Sequence, residues 1–456
     1  MRINYLRATA LAVILLGAMP AAAQTMPAGG GADQTSQALL ARIEKLEAEL
    51  AALRAAVQQS KETASAAKTS AETTAGKLET VKRMATIGAS AAYSGAESDA
   101  KWHLAGYADT TFVVNDGPTP SSFIGGQINP ILHFQYKDLL MFESELEFTT
   151  SQDGETNTEL EYAQFDVFLN DYATLVAGKY ISPIGQFKER LHPSWINKVV
   201  SMPAGFGHDG VQPGGDTGIQ LRGALPAGQS RFTYALAVGN GPQTTFEGGV
   251  RLEGSGNDDN KNKSLGGRLG FLPLPYLEFG GSLLTAKVSG YQEPSGHEDA
   301  PVISAPAATP GGLPDTARFT LWGADAAYTK GALNARFEYL DAHRAAFFTP
   351  TAEDPGGTFL PRLGMKAWYG QVSYRLSGLG DSSFIHNLEP VLRYGEFSIS
   401  GQDELEEENA QNRYNVGLNY WLAPTVVTKA GVEWRDFKVP GIDSETLYQF
   451  QIAYGF

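Results

Sequence analysis

The stretch that decides the fold is L-Y-Q-F-Q-I-A-Y-G-F, residues 447–456. Large apolar side chains alternate there with small or polar ones, namely Tyr448, Phe450, Ile452, Tyr454 and Phe456 against Gln449, Gln451, Ala453 and Gly455. Side chains two residues apart share one face of a β-strand, so one face is aromatic and the other is small or polar. With the aromatic face against lipid and the other against water, the stretch is the expected closing strand of an outer-membrane β-barrel.

The composition agrees with a turn-rich β-protein. The chain has 456 residues, with 51 glycines, 19 tyrosines and no cysteine. The lack of cysteine excludes disulfides, thiolate catalysis and cysteine-ligated metals. Beyond the N-terminal apolar segment, no run approaches the ~18 apolar residues of a membrane helix, but barrel strands carry a much weaker hydropathy signal.

Residues 1–23 have the pattern of a secretory signal peptide. Arg2 and Arg7 flank an apolar run from Ala8 to Ala18, and small residues end at Ala23, the expected cleavage site. Removal of the two arginines takes the formal net charge from −15 to about −17. An exported protein this acidic is a poor candidate for nucleic-acid binding.

A heptad pattern follows a short linker, residues 24–38. Apolar or small residues recur every seven positions over 39–84, beginning at Leu39 and Ile43 and ending at Leu78 and Val81. This repeat predicts an α-helical coiled coil, which we expect in the periplasm. The alternative is a single amphipathic helix packed on its own barrel. Residues 85–101 form a second linker.

From Trp102 the apolar period changes from seven to two, and about sixteen strands are expected over 102–456. Tight turns such as Lys137-Asp138 and Lys330-Gly331 alternate with long polar segments, at 240–263, 289–317, 344–365 and 399–412. Short turns on one rim and long loops on the other are typical of a barrel. The predicted fold class is therefore an all-β, sixteen-stranded antiparallel transmembrane barrel with an N-terminal coiled coil.

The longest connection, residues 181–215, is expected to fold into the barrel. The segment G-K-Y-I-S-P-I-G-Q-F-K-E-R-L-H-P-S-W-I-N-K, residues 178–198, resembles the entry to the constriction loop of trimeric porins of the phosphate-selective O/P type. Their relatives include dicarboxylate-type porins with an N-terminal coiled coil. The resemblance implies a homotrimer, and it implies that Tyr454 and Phe456 mark the strand recognised by the barrel-assembly machinery.

Strand phase selects charged residues for the pore. Predicted to line the lumen or its constriction are Lys179, Lys188, Arg190, Lys198, Asp209, Arg222, Arg268, Arg336, Arg375, Arg393, Lys429 and Arg435, with Glu143, Glu145 and Glu147 on the third strand. Guanidinium groups in a narrow aqueous pore attract anions. The alternative is structural, with the arginines paired to these glutamates or to Glu338 and Glu433.

These features predict a porin of the bacterial outer membrane, a passive channel for small hydrophilic solutes with a mild anion preference. The alternative function is structural, with the coiled coil tethering the membrane to the cell wall. Membrane lipid and lipopolysaccharide are the expected surroundings. No catalytic constellation is readable, and His192, His208 and Asp209 lack the compact spacing of a metal site, so neither an enzyme nor a cofactor is predicted.

Overall fold

The computed structural model describes most of the C-terminal unit and isolated positions of the N-terminal one. The chain divides into two compact units, residues 1–94 and 95–456. Described are residues 99–456 except 117–120, 152–153, 208–209, 246–248, 253–257, 259, 290–315, 350–357, 380–381 and 402–409. In the first unit the structure describes Arg54, Gln58, Lys61 and Lys68, which are helical and exposed. The predicted signal peptide, the first linker, residues 85–98 of the second linker and the coiled-coil core positions lie outside the described residues. Strand β1 begins at Ala100, within the end predicted for the second linker.

Sixteen antiparallel strands form one closed barrel. In chain order they are β1 (Ala100–Asn115), β2 (Ser122–Tyr136), β3 (Leu140–Thr150), β4 (Thr156–Asn170), β5 (Ala173–Ile181), β6 (Gly215–Ala227), β7 (Ser230–Gly239), β8 (Ser264–Leu274), β9 (Leu277–Val288), β10 (Ala317–Lys330), β11 (Leu333–Arg344), β12 (Leu363–Tyr374), β13 (Leu388–Ser400), β14 (Gln411–Ala423), β15 (Val426–Phe437) and β16 (Glu445–Gly455). The prediction of an all-β, sixteen-stranded antiparallel barrel is confirmed.

The barrel closes at the C-terminal stretch, residues 447–456. Strand β16 pairs with β15 on one side and with β1 on the other, where Phe450 faces Phe112. The terminal residue completes this seam, because the backbone N–H groups of Phe456 and Gly106 each donate to the other residue's carbonyl oxygen, at 2.9 Å. Closure removes the unpaired edges that an open sheet would present.

The connections differ between the two rims, here called the turn side and the loop side. On the turn side, Lys137, Gly228 and Gly331 adopt positive φ angles of 50°, 64° and 59°, which tight turns between antiparallel strands require. A longer turn between β12 and β13 contains the short helix Ser383–His386. On the loop side, two small hairpins form, Gln243–Thr244 with Val250–Arg251 and Phe347–Thr349 with Thr358–Leu360.

The outward face is apolar around the barrel, as the period-two pattern predicts. Two rows of aromatic side chains border this face. Near the turn side lie Tyr136, Tyr172, Tyr374 and Tyr454, and towards the loop side lie Trp322, Tyr339, Trp368, Tyr394, Tyr414 and Trp434. Among the described residues, no helix is long and apolar enough to cross a membrane.

Candidate functional site

The connection between β5 and β6, residues 182–214 and here called the lumen loop, contacts inward-facing side chains of the barrel. It contains one helical turn, α1 (Phe187–Arg190). The chain turns into the lumen at Gly185, whose φ of +72° favours glycine. A Cβ atom there would lie 1.8 Å from Oε1 of Glu338, so only glycine allows this approach. The backbone N–H of Gly185 also donates to the Ser282 hydroxyl at 3.1 Å.

Glu338 binds the start of α1. Its two carboxylate oxygens accept the backbone N–H groups of Gln186 and Phe187, at 3.0 and 3.1 Å. The glutamate is almost fully buried, and the Tyr369 hydroxyl lies 3.5 Å from Oε2. Because both of its oxygens bind consecutive backbone N–H groups, this side chain fixes where the loop enters the lumen.

A chain of alternating charges continues from this point. Arg268 donates to Asp325 at 2.6 and 2.9 Å and to Glu278 at 2.9 Å. The other oxygen of Glu278 accepts from Arg190 of the loop at 2.8 Å. Arg336 donates to the Gln186 side-chain oxygen at 3.1 Å. The predicted pore residues Arg190, Arg268 and Arg336 therefore connect the loop to β8–β11.

The second half of the loop is bound by three further cations through its carbonyl groups. Arg393 donates to the Ser201 carbonyl at 2.8 Å, and Arg413 donates to the Met202 carbonyl at 3.0 Å. Lys429 donates to the Ser194 carbonyl and, at 2.8 Å, to the Gln451 side chain. Arg393 and Lys429 are buried by these contacts. They position the loop rather than present charge to an aqueous path.

The closing strand also contacts the loop through its small face. Trp195 packs with Trp421, Val427 and Ala453. A Cβ atom on Gly455 would lie 2.5 Å from the Trp195 ring. Small side chains on the inward face of β16 therefore make room for an indole of the lumen loop.

Two basic residues expected near the constriction bind the turn-side end of the lumen instead. Lys198 forms an ion pair with Glu389 at 3.1 Å and lies 4.5 Å from the Trp421 ring centre. Arg375 donates to the His386 carbonyl at 2.9 Å and stacks on the same indole at 5.3 Å. Arg375 follows the last residue of β12 and binds the turn, so it lies at the turn-side end of the lumen, and its role in lining the pore stays a prediction.

Lys179 was also expected in the pore, and this prediction is wrong. In the register of β4 and β5 it lies opposite Ala163, on the same outward face as the exposed Phe165. Directly opposed residues of antiparallel strands project to the same side of the sheet. Its ammonium group donates to the Leu160 carbonyl, next to a bulge in β4. The flexible side chain of Lys179 lets its ammonium group reach this carbonyl from the apolar outward face.

The acidic face of β3 points inward and carries a hydrogen-bonded network. Gln164 donates to Glu143 at 2.6 Å, and Gln127 donates to Glu147 at 2.8 Å. Tyr107 and Asn129 both donate to Glu145, at 2.8 and 3.0 Å. Arg222 on β6 lies 3.5 Å from Glu143 and 2.8 Å from Asp166. Lys188 of the loop reaches this flank through Glu161, at 3.1 Å. The loop therefore spans from β9–β11 to β3–β4.

The loop-side half of the lumen along β9–β13 is apolar. Inward residues there bury against Ile184, Phe187 and Phe206 of the loop; they are Leu284, Val288, Ala317, Phe319, Leu321, Leu340, Ala342, Leu363, Met365, Ala367, Phe397 and Ile399. The reason is that the loop itself supplies an apolar surface, so these side chains pack as in a soluble core.

Two arginines of the lumen keep about a third of their side-chain surface exposed. The Arg190 side chain is 37% exposed, and its partners Glu189 and Glu278 are 31% and 12% exposed. Arg222 is 35% exposed, against 16% for Glu143 and 1% for Asp166. Arg435 pairs with Glu433 at 2.6 Å, as the structural alternative predicted. Asp209 and His208 lie outside the described residues, and Tyr454 and Phe456 face outward.

Sequence reasoning missed several residues that position the loop or bind the arginines of the lumen. Asp325, Glu278 and Asp166 lie on the inward faces of their strands, and the strand phase that selected the arginines also selects them. No pattern in the sequence marks Gln186 or Tyr369, whose roles depend on contacts across the barrel.

No family model matches the chain, and no curated protein matches it. Similar solved structures include a loop-deletion mutant of OmpT, an outer membrane protein of Vibrio cholerae, at 11% identity and a TM-score of 0.48, covering 78% of this chain and 100% of that one. The outer membrane channel DcaP of Acinetobacter baumannii has 11% identity and a TM-score of 0.46, with 79% and 99% covered. Salmonella typhi OmpF in complex with daunomycin has 12% identity and a TM-score of 0.46, with 78% and 98% covered.

At these identities and TM-scores the similarities assign neither a family nor a function to this chain. The resemblance to phosphate-selective O/P porins stays a prediction.

Proposed function

We propose that the chain is a passive channel of the bacterial outer membrane for small hydrophilic solutes. The observation that carries the proposal is the combination of a closed sixteen-stranded barrel and an apolar outward band between two aromatic rows. Aromatic rows of this kind lie at the two membrane interfaces of transmembrane barrels. A barrel of this strand number is wide enough to enclose an aqueous channel.

The lumen loop would narrow this channel. Ion pairs and hydrogen bonds connect it to β9–β11 at Glu338 and Glu278, and to β4 at Glu161. The loop is bound on both sides of the lumen, so solutes would pass through the cross-section that it leaves open. Purified protein added to a planar lipid bilayer should produce stepwise ohmic currents, and the absence of such steps would contradict the proposal.

The proposed selectivity is a mild preference for anions. It is supported by Arg190 and Arg222, which are more exposed than the carboxylates that they contact. The buried Arg393 and Lys429 contribute little, because they are bound to the loop. Fixed guanidinium groups beside a narrow path raise the local concentration of anions. Reversal potentials across a salt gradient measure this preference.

The proposed assembly is a homotrimer of barrels, with residues 39–84 as a parallel coiled coil in the periplasm after removal of residues 1–23. The heptads of that segment support it. The C-terminal strand, with Tyr454 and Phe456, would be recognised by the barrel-assembly machinery. No chemical step and no cofactor are part of the proposal.

A second function is favoured by one specific observation, the apolar core inside the lumen. A core that fills part of the lumen is compatible with a barrel that serves mainly as a membrane anchor for a coiled coil bound to the cell wall. The two functions differ in conductance, because an anchor with a closed lumen passes no current.

A further inference from the structure

Two cations lie directly opposite each other on the outward face, near the loop side. In the register of β9 and β10, Lys287 pairs with Arg318. Both side chains are exposed, and neither has a hydrogen-bond or ion-pair partner in the part of the chain that the structure describes. Like charges directly opposite each other destabilise a pair of strands. An anion placed between them would remove this repulsion.

The row extends to a third strand. The neighbouring pair along β8 and β9 is Leu265 and Thr285, so Lys263, two residues before Leu265, comes next to Lys287. Lys263 is partly neutralised by Asp258 and donates to the Asn240 side chain at 3.1 Å. Three basic side chains on neighbouring strands thus form one outward row, here called the basic row.

The apolar surface below the basic row is continuous with it. Leu265, Leu283 and Trp322 are exposed on the same three strands. Thr285 and Thr320 separate Leu283 and Trp322 from the charges, and Leu265 lies beside Thr285, two residues after Lys263. Four residues separate Trp322 from Arg318 along β10, about 13 Å at ~3.3 Å per residue. Strand tilt reduces this to roughly 10 Å along the membrane normal. Since Trp322 belongs to the aromatic row at the interface, the basic row lies at the level of lipid headgroups.

We infer that the basic row binds the phosphate groups of a phosphorylated glycolipid, whose acyl chains lie on Leu265, Leu283 and Trp322. A phosphate monoester matches a guanidinium and an ammonium group at short range. The apolar contact below selects a lipid over a soluble phosphate. This inference rests on the proposed location in the outer membrane. The loop side of the barrel would then face the cell exterior.

The test measures lipid bound to the purified full-length protein in detergent micelles. The probes are diphosphoryl lipid A and the same lipid with both phosphates removed, and native mass spectrometry counts the bound molecules. The native protein should prefer the phosphorylated form. Lys287→Gln with Arg318→Gln should weaken its binding about thirtyfold, from about 1 kcal/mol per basic side chain at a charged lipid surface and 1.4 kcal/mol per factor of ten.

Two further variants separate the site from general attraction. In Lys287→Glu the new carboxylate can pair with Arg318, which eases the repulsion between the two strands. This variant should no longer prefer the phosphorylated lipid. Lys366 lies on the same outward face, but its ammonium group is already paired with Asp341 at 3.6 Å. The Lys366→Gln variant should therefore bind the phosphorylated lipid as the native protein does. Equal loss in Lys366→Gln, or equal binding of the dephosphorylated lipid, would overturn the inference.

Inorganic phosphate in excess should not displace the lipid. Displacement would show a site for soluble anions and would also overturn the inference. The result is distinguishable from the outcome for the proposed channel. If the protein conducts in bilayers but does not prefer the phosphorylated lipid, only the lipid-site inference fails. If it binds the lipid but does not conduct, only the channel proposal fails.

Discussion

At the scale of single residues, the same type of side chain serves two purposes in the lumen. Arg393 and Arg413 donate to carbonyl groups of the lumen loop, whereas Arg190 and Arg222 keep about a third of their side-chain surface exposed. Strand phase alone placed most of them on the inward face. Strand phase could not tell the arginines that bind loop carbonyl groups from those that stay exposed, because this difference depends on the path of the lumen loop.

Selectivity should therefore depend on the exposed pair. Arg190→Gln and Arg222→Gln should each shift the anion-to-cation permeability ratio towards cations by about threefold, from ~0.7 kcal/mol between unit charges ~6 Å apart in water. Lys330→Gln, on β10 at the opposite end from the loop side, is the matched control and should leave the ratio unchanged. Reversal potentials under a salt gradient provide the measurement. A cation-selective native channel, or equal shifts in all three variants, would show that other charges set the preference.

At the scale of elements, the alternation of β16 was readable because its two faces differ in chemistry. The same reasoning was insufficient for β9, where Leu283 faces outward and Leu284 inward, both apolar. A strand with two apolar faces does not reveal which one meets lipid. The inward face packs on Ile184 and Phe187 of the lumen loop, a contact between segments distant in sequence.

The terminal strand offers a test of its proposed role in assembly. Phe456→Asp should lower the amount of folded barrel in the outer membrane of cells, yet the purified variant should refold into liposomes like the native protein. An acidic residue near the interface costs only about 0–1 kcal/mol of barrel stability. Heat-dependent migration on gels measures the folded fraction.

Phe450→Asp is the matched control, since Phe450 is exposed on the same face of β16 but farther from the chain end. It should cost more stability in liposomes and affect delivery in cells less. Equal behaviour of the two variants in both assays would remove any special role of the terminal residue.

At the scale of the whole molecule, the strand number and the order of short turns and long loops were predictable from the sequence. Periodicity and turn chemistry are local, and sixteen amphipathic strands have few alternatives to closure. The path of the lumen loop and the apolar core that it forms were not predictable. They depend on contacts such as Glu338 with Gln186, which join residues far apart in the chain.

The proposed trimer can be tested separately from the barrel. Deletion of residues 24–85 should shift chemical crosslinking in mild detergent from trimers towards monomers, because the heptad segment is removed. The barrel should keep its heat-dependent migration, since residues 100–455 contain all of its strands. Monomers of the intact protein under the same conditions would contradict the proposal.

Single-channel conductance in planar bilayers tests the central claim most directly. The native protein should insert in discrete ohmic steps. Glu338→Gln should give a larger or noisier conductance, because the amide NH2 group is a donor and cannot accept the backbone N–H that the second oxygen of Glu338 accepts. Glu396→Gln, which changes an outward-facing partner of Lys438, is the control and should match the native steps. The contradicting result is that neither the native protein nor Glu338→Gln gives conductance steps, although both insert into the bilayer. The barrel would then be closed, and the protein would not be a channel.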